Sequence, residues 1–533
     1  MPRFLVFTIY LAIAIGMYYG TAQAKFVADF IDICNETDFS GWLSFFNVVK
    51  GVHVDVVSRG LLFLGVKLFG LNPTAWMLAT ALLHAVNTWL VYLFIAKVLK
   101  LLHNRETEWI AALSGLVFVL SPYHTEVVVW LGAFNYLVVA LFVLLSLNAS
   151  LSYFVTGKVK WLVATIVATL GAAFSHELAV VIPPAMAVIF LLSSRTFSVT
   201  KLMAAGGVTL LAVAAYFVSN KIFKHDWIGH YGASAHLSFQ WQQALAVFNK
   251  YLAKICLLTP FMPEGWQGKI FAAISTPGAL YATLIAYVVL VVFSIWYRFT
   301  YGKLNSVSFF VALFALAVAP VLNLYFPDFI KIHADRYCYL PTAFLTPAIL
   351  VLFFAANRYV GVLLAVCMAM ANGYALHYNN ASWQQAGKVE QQLEADFLWK
   401  DAKRVYILNL PENYDGAYMY RSLGYSKFKW RYDLMHTDTI KADVVEIVGY
   451  NMMGVNDSVR ITVETDSTLQ VELSDWGRWY WLETHGAASY ENELVKVDMD
   501  EWNHTYRLTF KALRKEDVVV YQSGTNWRRI TLP

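Results

Sequence analysis

The chain has 533 residues, of which 58% are hydrophobic and only 14% charged, with a mean hydropathy of +0.51. A soluble chain carries roughly 25% charged residues, so a single water-soluble globule is excluded. The net charge of +4 comes from basic residues scattered between hydrophobic segments, not from a basic stripe, which argues against a nucleic-acid partner. The four cysteines, Cys34, Cys256, Cys338 and Cys367, form no CxxC pair, so neither a metal site nor a disulfide framework is expected.

The charge deficit is uneven. Of the 36 acidic residues, 23 fall after residue 377. This predicts an α-helical polytopic membrane domain over residues 1–377, with outer loops at 21–73 and 221–271, and a soluble domain over 378–533. A bilayer-crossing helix needs about 20 mainly apolar residues. Candidate spans run near 3–20, 74–99, 109–122, 127–153, 161–175, 178–194, 202–220, 272–297, 306–323, 340–356 and 359–376. That makes eleven, of which 109–122 and 161–175 are short. The first segment ends in "TAQA", a small-residue run resembling a signal cleavage site. It reads as a retained span because the loop charges alternate correctly with it counted.

With the N-terminus cytoplasmic, every short loop on the cytoplasmic side is basic. These loops carry Lys97, Lys100 and Arg105; Lys158 and Lys160; Arg195 and Lys201; Arg298 and Lys303; and Arg358. That pattern follows the positive-inside rule and puts residues 378–533 outside the cytosol, in a periplasm or equivalent lumen.

Ionisable residues at membrane depth are costly and usually functional. Four groups are expected on the outer side: Asp29 and Asp32 after the first span, His124 and Glu126 in "SPYHTEVVVW", His176 and Glu177 in "FSHELAVVIPP", and Asp335 and Arg336 in "HADRYCYLP". For each group, capping, snorkelling or pairing with a neighbour is the bland alternative. "SHELA" invites a zinc reading, but the second His that a metalloprotease helix needs is Val180 here. His84 and Asn87 lie deeper, three residues apart, and suit interhelical hydrogen bonding. Residues 239–260 read as an amphipathic helix on the membrane surface, its Lys250 and Lys254 meeting either an anionic lipid head group or bulk solvent and phospholipid. Residues 40–66, with Arg59, read the same way.

The stretches "FGLNPTAWMLATALLHAVN", "SPYHTEVVVWLGAFNYLVVALF", "SHELAVVIPP" and "ADRYCYLPTAF" together resemble the GT-C membrane glycosyltransferases. The protein O-mannosyltransferase and TMTC-like branch is nearest, and the likeness covers about residues 20 to 380. The resemblance implies transfer of a sugar, with inversion, from a polyprenyl-phosphate sugar to a protein or glycan hydroxyl, an acid of the first outer loop serving as general base. The family's first-loop "YDD" falls on Ala28, Asp29 and Phe30, which implies Asp29 as base and Asp32 as the second candidate. Its "YRPL" falls on Ser58 to Leu61 and keeps Arg59. Its "GRxD" falls on Ala133 to Tyr136 and loses both charges. Its "SKE" is Ser175, His176 and Glu177, making the local charge pH-dependent. Arg336 is kept, the first candidate for the donor phosphate, with Arg59 next and His124, Glu126, His176, Glu177, Asp335, Lys250 and Lys254 around them. No metal is assigned, and no cofactor beyond the lipid-linked donor.

After residue 377 a helix of about 20 residues leads into short runs rich in Val, Tyr and Thr, from "VYILNL" to "DVVVYQ", the mark of a mostly β or α+β domain. No 34-residue repeat is present. "DWGRWYWLETHG" reads first as core aromatics and second as a sugar-stacking surface. "YILNLPENYDGAYMYR" is similar to a stretch in bacterial relatives, which points to a bacterial inner membrane. Two other functions remain open: a silent scaffold that binds lipid-linked glycan, and a transporter, for which an internal repeat is expected.

Overall fold

The computed structural model describes residues 2–28, 30, 33, 54–103, 108–192, 198–227, 240–263, 265–324, 334–397, 402–420, 427–447, 450–451, 454–457, 459–473, 479–480, 489–502 and 504–532. The chain folds as two compact units. The first holds residues 1–19, 37–129 and 133–379; the second holds 20–36, 130–132 and 380–533. Residues 20–36 and 130–132, grouped with the membrane domain in the sequence reading, therefore belong with the C-terminal unit.

The first unit is helical. Among the described residues, seven helices are long and apolar enough to cross a membrane, beginning with Arg3–Ala24, Pro73–His103 and Leu131–Thr156 and ending with Arg358–Ala395. An eighth span forms if Glu108–Val119 and Pro122–Val129, bent by 58°, count as one. Val159–Ala173, Glu177–Phe190 and Ser306–Val321 are apolar but shorter. On Pro277–Tyr301, Ile285, Val289 and Val292 are at least 60% exposed. An apolar helix bare over that much of its surface is stable only against lipid, so the protein is a multi-pass membrane protein.

Inside the bundle, helices associate through small and polar side chains, because lipid tails remove most of the hydrophobic drive between them. Ser146 and Thr169 hydroxyls lie 3.0 Å apart and those of Ser150 and Thr165 3.2 Å apart, stitching Phe134–Thr156 to Val159–Ala173. His84 Nδ1 meets the Tyr339 hydroxyl at 2.8 Å, while Asn87 donates to that hydroxyl and to the Leu137 carbonyl. Those two residues thereby join three helices.

The basic residues gather at one end. Arg3 pairs with Glu108 at 3.4 Å, Lys201 caps the Phe154 carbonyl at 2.7 Å, and Lys303 caps that of Leu102 at 2.5 Å. Arg298 donates to the Leu191 carbonyl, and Arg358 lies over Trp109. Cations on carbonyls at helix C-termini are favoured by the helix dipole. Followed along the chain, Phe134–Thr156 and Tyr339–Ala356 start at the opposite end, among the acidic and aromatic residues described below.

Among the described residues, the second unit is built on the last turns of Arg358–Ala395, a single 38-residue helix, the helix Lys427–Met435 and thirteen short strands. One sheet has the order β13-β12-β1-β4, with β1 (Arg404–Ile407) parallel to both β12 (Asp517–Ser523) and β4 (Asp443–Glu446), and β13 (Asn526–Ile530) antiparallel to β12. The other runs β6-β7-β11-β10-β9 and is antiparallel. Its strands are β6 (Val459–Thr465), β7 (Thr468–Leu473), β9 (Tyr490–Glu491), β10 (Val495–Met499) and β11 (Thr505–Phe510). Two small pairs complete the set: β2 (Asn413–Tyr414) with β3 (Ala417–Tyr418), and β5 (Tyr450–Asn451) with β8 (Trp479–Tyr480). Alternate residues Tyr506, Leu508 and Phe510 of β11 turn inward onto Leu469, Val497 and Tyr406, the period-two burial a one-sided sheet requires.

Candidate functional site

The polar residues of the outer segments converge within the first unit. After Val119 the chain bends at Pro122, turns once through Pro122–His124 and resumes as Thr125–Val129. Proline lacks the N–H a continuing helix needs, so the break follows from the sequence. His124 and Glu126 were expected at an outer turn; both are fully buried instead. The two half-helices pack inward, so the turn is enclosed. His124 Nε2 meets the Thr342 hydroxyl at 2.8 Å, and its ring packs on Tyr339.

Glu126 grips Arg336. One carboxylate oxygen accepts the Arg336 backbone N–H at 2.8 Å and the other accepts from its guanidinium. A carboxylate so engaged fixes both the side chain and the start of its helical turn. The preceding residue, Ala334, has φ +60°, a conformation that costs a non-glycine residue about 1–3 kcal/mol and tends to mark functional segments. The Arg336 guanidinium lies 4.8 Å from the Tyr337 ring and 5.8 Å from Tyr136, so planar faces and one carboxylate orient it. Its side chain keeps 17% exposure.

Asp335 is buried and paired with Lys254 at 2.5 Å. The sequence reading left Lys254 to a lipid head group or to solvent on a surface helix. The helix Trp241–Leu257 does form, but this lysine is 4% exposed, and the Tyr123 hydroxyl donates to its backbone carbonyl. The polar face of that helix is therefore answered by a buried carboxylate. Lys250 sits over the Phe271 ring.

The turn at 175–177 adjoins this cluster through Tyr136, whose ring lies 4.4 Å from that of His176. His176 Nδ1 accepts the Leu178 backbone N–H at 3.2 Å and so caps the short helix that follows. Glu177 accepts from the Tyr216 hydroxyl at 3.2 Å. Arg59 pairs with Asp55 at 2.6 Å, one helical turn back. Its segment is tied to the same turn by Val57 N–H on the Phe174 carbonyl at 2.9 Å and by Ser58 on the Ser175 carbonyl at 3.3 Å.

Arg336, Tyr136, Tyr337 and Leu178 line a small cleft of about 10 Å³, space for about one water molecule. Ala317 lines both this cleft and a second, wholly apolar one of about 10 Å³, whose lining includes Val143, Leu147, Val181, Leu313 and Phe344. Along Phe134–Thr156 the lining residues Tyr136, Val139, Val143 and Leu147 share one face at helical spacing. A cleft with a charged residue in its lining thus lies beside an apolar one between helices.

The structure pairs Glu126 with Arg336 and Asp335 with Lys254, and brings His176 beside them through Tyr136, whereas His124 faces Thr342 and Tyr339, Glu177 faces Tyr216 and Arg59 pairs with Asp55. Asp29 and Asp32 lie outside the described residues. Sequence reasoning missed Asp55, Tyr123, Tyr136, Tyr216 and Tyr337. Only Asp55 had a signal, its spacing of four from Arg59. Among the described residues no group of three His, Cys, Asp or Glu side chains is placed to hold a metal ion.

No family model matches the chain, and no curated protein does. Among solved structures it is similar to the apo oligosaccharyltransferase of Archaeoglobus fulgidus, with 12% identity, 81% of this chain and 66% of that chain covered and a TM-score of 0.36. It is also similar to ArnT from Cupriavidus metallidurans bound to undecaprenyl phosphate, with 13% identity, 83% and 89% covered and a TM-score of 0.37. The apo state of ArnT gives 13%, 79% and 86%, and 0.35. The chain spans just under two thirds of the length of the archaeal protein.

Proposed function

We propose that the protein is a membrane glycosyltransferase of the GT-C type, taking its sugar from a polyprenyl-phosphate donor and passing it to a protein or glycan hydroxyl on the extracytoplasmic side. The observation that supports this reading is the Arg336 cleft: an oriented, partly open guanidinium next to a small apolar cleft between helices. A polyprenyl phosphate has that composition, a charged head on an apolar tail.

In this reading Asp29 removes the acceptor's hydroxyl proton. The oxygen attacks the anomeric carbon from the face opposite the phosphate, and the carbon–oxygen bond to phosphate breaks as the new glycosidic bond forms. The polyprenyl phosphate leaves with the electron pair. Arg336 offsets the charge that develops on it. The basic residues at the opposite end of the bundle favour a cytoplasmic N-terminus and a periplasmic C-terminal domain, in a bacterial inner membrane.

The test is transfer by purified protein in liposomes from a panel of labelled polyprenyl-phosphate sugars. Transfer that is abolished in Asp29→Asn is the expected result. Failure with every donor while donor binding persists would favour the second reading, a silent scaffold that binds lipid-linked glycan. One observation supports that rival: Arg336 and Lys254 are each already matched by a carboxylate.

A further inference from the structure

Three helices of the first unit enclose a slot of about 350 Å³ that the proposed reaction does not use. That volume is in the range of small-molecule sites. Pro73–His103 and Val159–Ala173 both pack on Phe134–Thr156, which forms the floor between them. Ala149, Ala164 and Ala168 line the slot, and their short side chains leave the room. Along the floor the lining covers residues 142 to 149, about 10 Å of helix. Val143 and Leu147, which line the apolar cleft beside Arg336, stand on a different face of the same helix.

The two ends of the slot are unlike. The Ser146–Thr169 and Ser150–Thr165 contacts make the third helix antiparallel to the floor. Trp161 therefore lies toward Phe154, whose carbonyl Lys201 caps at the basic end of the bundle. Lys97 lies at that end too, donating to the Ser152 hydroxyl at 3.2 Å and to the Asn148 carbonyl at 3.4 Å. Leu90, Phe142 and Leu145 line the deeper end. On the outer side Val163 and Val167 are 52% and 60% exposed, so the slot borders on lipid.

Charge at the mouth is of one sign. Lys97 is the charged residue among the described lining, and its two hydrogen-bond partners are neutral oxygens. An ammonium has three donors, so one remains for a ligand. Lys158 and Lys160 are exposed in the adjoining turn, with Lys160 over the Trp161 ring at 5.3 Å. Arg3, by contrast, is matched by Glu108. Basic pockets between transmembrane helices suit phospholipid head groups, and tryptophan favours that depth.

We propose that this slot binds one anionic glycerophospholipid. An acyl chain lies along Leu90, Phe142 and Leu145, and the phosphate meets the ammonium groups of Lys97, Lys158 and Lys160. The site is separate from the Arg336 cleft, and the proposal does not rest on sugar transfer.

The test titrates full-length protein in neutral detergent with phosphatidylglycerol, phosphatidylcholine, undecaprenyl phosphate or soluble glycerol phosphate, and reads bound lipid by native mass spectrometry. The variants are Lys158→Gln with Lys160→Gln, the same pair with Lys97→Gln, and Ala164→Leu, which fills the slot. Arg460→Gln, on an exposed strand of the second unit, is the control. Thermal midpoints without lipid confirm that each variant folds.

One phosphatidylglycerol per chain is expected, bound at least tenfold more tightly than phosphatidylcholine. Each lysine removed should weaken it roughly fivefold, the triple variant about a hundredfold. Ala164→Leu should weaken both phospholipids, and glycerol phosphate should not compete. Equal binding of the two phospholipids, or unchanged affinity in the triple variant, overturns the head-group assignment. Unchanged affinity in folded Ala164→Leu overturns the slot as the site. Tighter binding of undecaprenyl phosphate, lost in Ala164→Leu, overturns the glycerophospholipid as occupant.

Discussion

Arg336 in the first unit and Arg431 in the second are both drawn out of water by carboxylates, and the two are treated differently. Arg336 is held by one glutamate and two tyrosine faces, and keeps 17% exposure at a cleft. Arg431 is held by two glutamates and a backbone carbonyl, and is sealed at 3% exposure. The lesson is that ion pairing alone does not distinguish a binding group from a strut. What differs is whether the cation retains a face toward a space that a ligand can enter.

The sharpest way to break this contrast is to remove each cation. Arg336→Met should lower sugar transfer by 10²-fold or more while the fold persists, as read by transfer rate against thermal midpoint. Arg431→Met should instead cost roughly 3–5 kcal/mol of stability, because two buried carboxylates lose their partner; chemical denaturation of the purified protein measures it.

The Lys254–Asp335 pair tests the intermediate case. Lys254→Met alone should destabilise by a few kcal/mol. The double variant with Asp335→Asn should recover most of that loss, since replacing both members of a buried pair is often nearly neutral. A double-mutant cycle gives the coupling.

Lys25 sharpens the comparison through pH. It is fully buried, and burial lowers its pKa to about 7, against about 10.4 for an exposed lysine. Between those values the unfolded chain binds a proton that the folded chain lacks, so stability rises with pH. The penalty is complete well below pH 7 and gone above about 10.4. Lys25→Met should therefore be more stable than wild type at pH 6, and the gap in thermal midpoint should close by pH 10. The smallest expected effect is Ser146→Ala, about 0.6 kcal/mol from one interhelical hydroxyl contact.

Much of the architecture was legible in the sequence. Apolar length marked the membrane helices, and period-two runs such as "YRLTFKA" marked strands, because both signals are local. The partners of the polar residues were not legible. A lysine on the polar face of Trp241–Leu257 looks the same whether it faces water or Asp335. Arg431 and Phe26 lie 405 residues apart, so nothing near "QAKFVAD" announces that it joins the C-terminal unit. The Pro122 break was visible as a proline, but the enclosure of Glu126 depends on how the half-helices pack.

The brevity of several membrane helices bears on how the protein is made. Glu108–Val119 has 12 residues, about 18 Å of helix against a hydrocarbon layer of about 30 Å. Alone, such a segment is a poor client for lateral release into lipid, and its neighbour after the bend carries a glutamate. The partner of that glutamate, Arg336, comes only when the chain has been synthesised as far as the start of Tyr339–Ala356. Biogenesis of the N-terminal half is therefore tied to the translation of a segment some two hundred residues downstream, and truncations ending before it should be handed to membrane quality control.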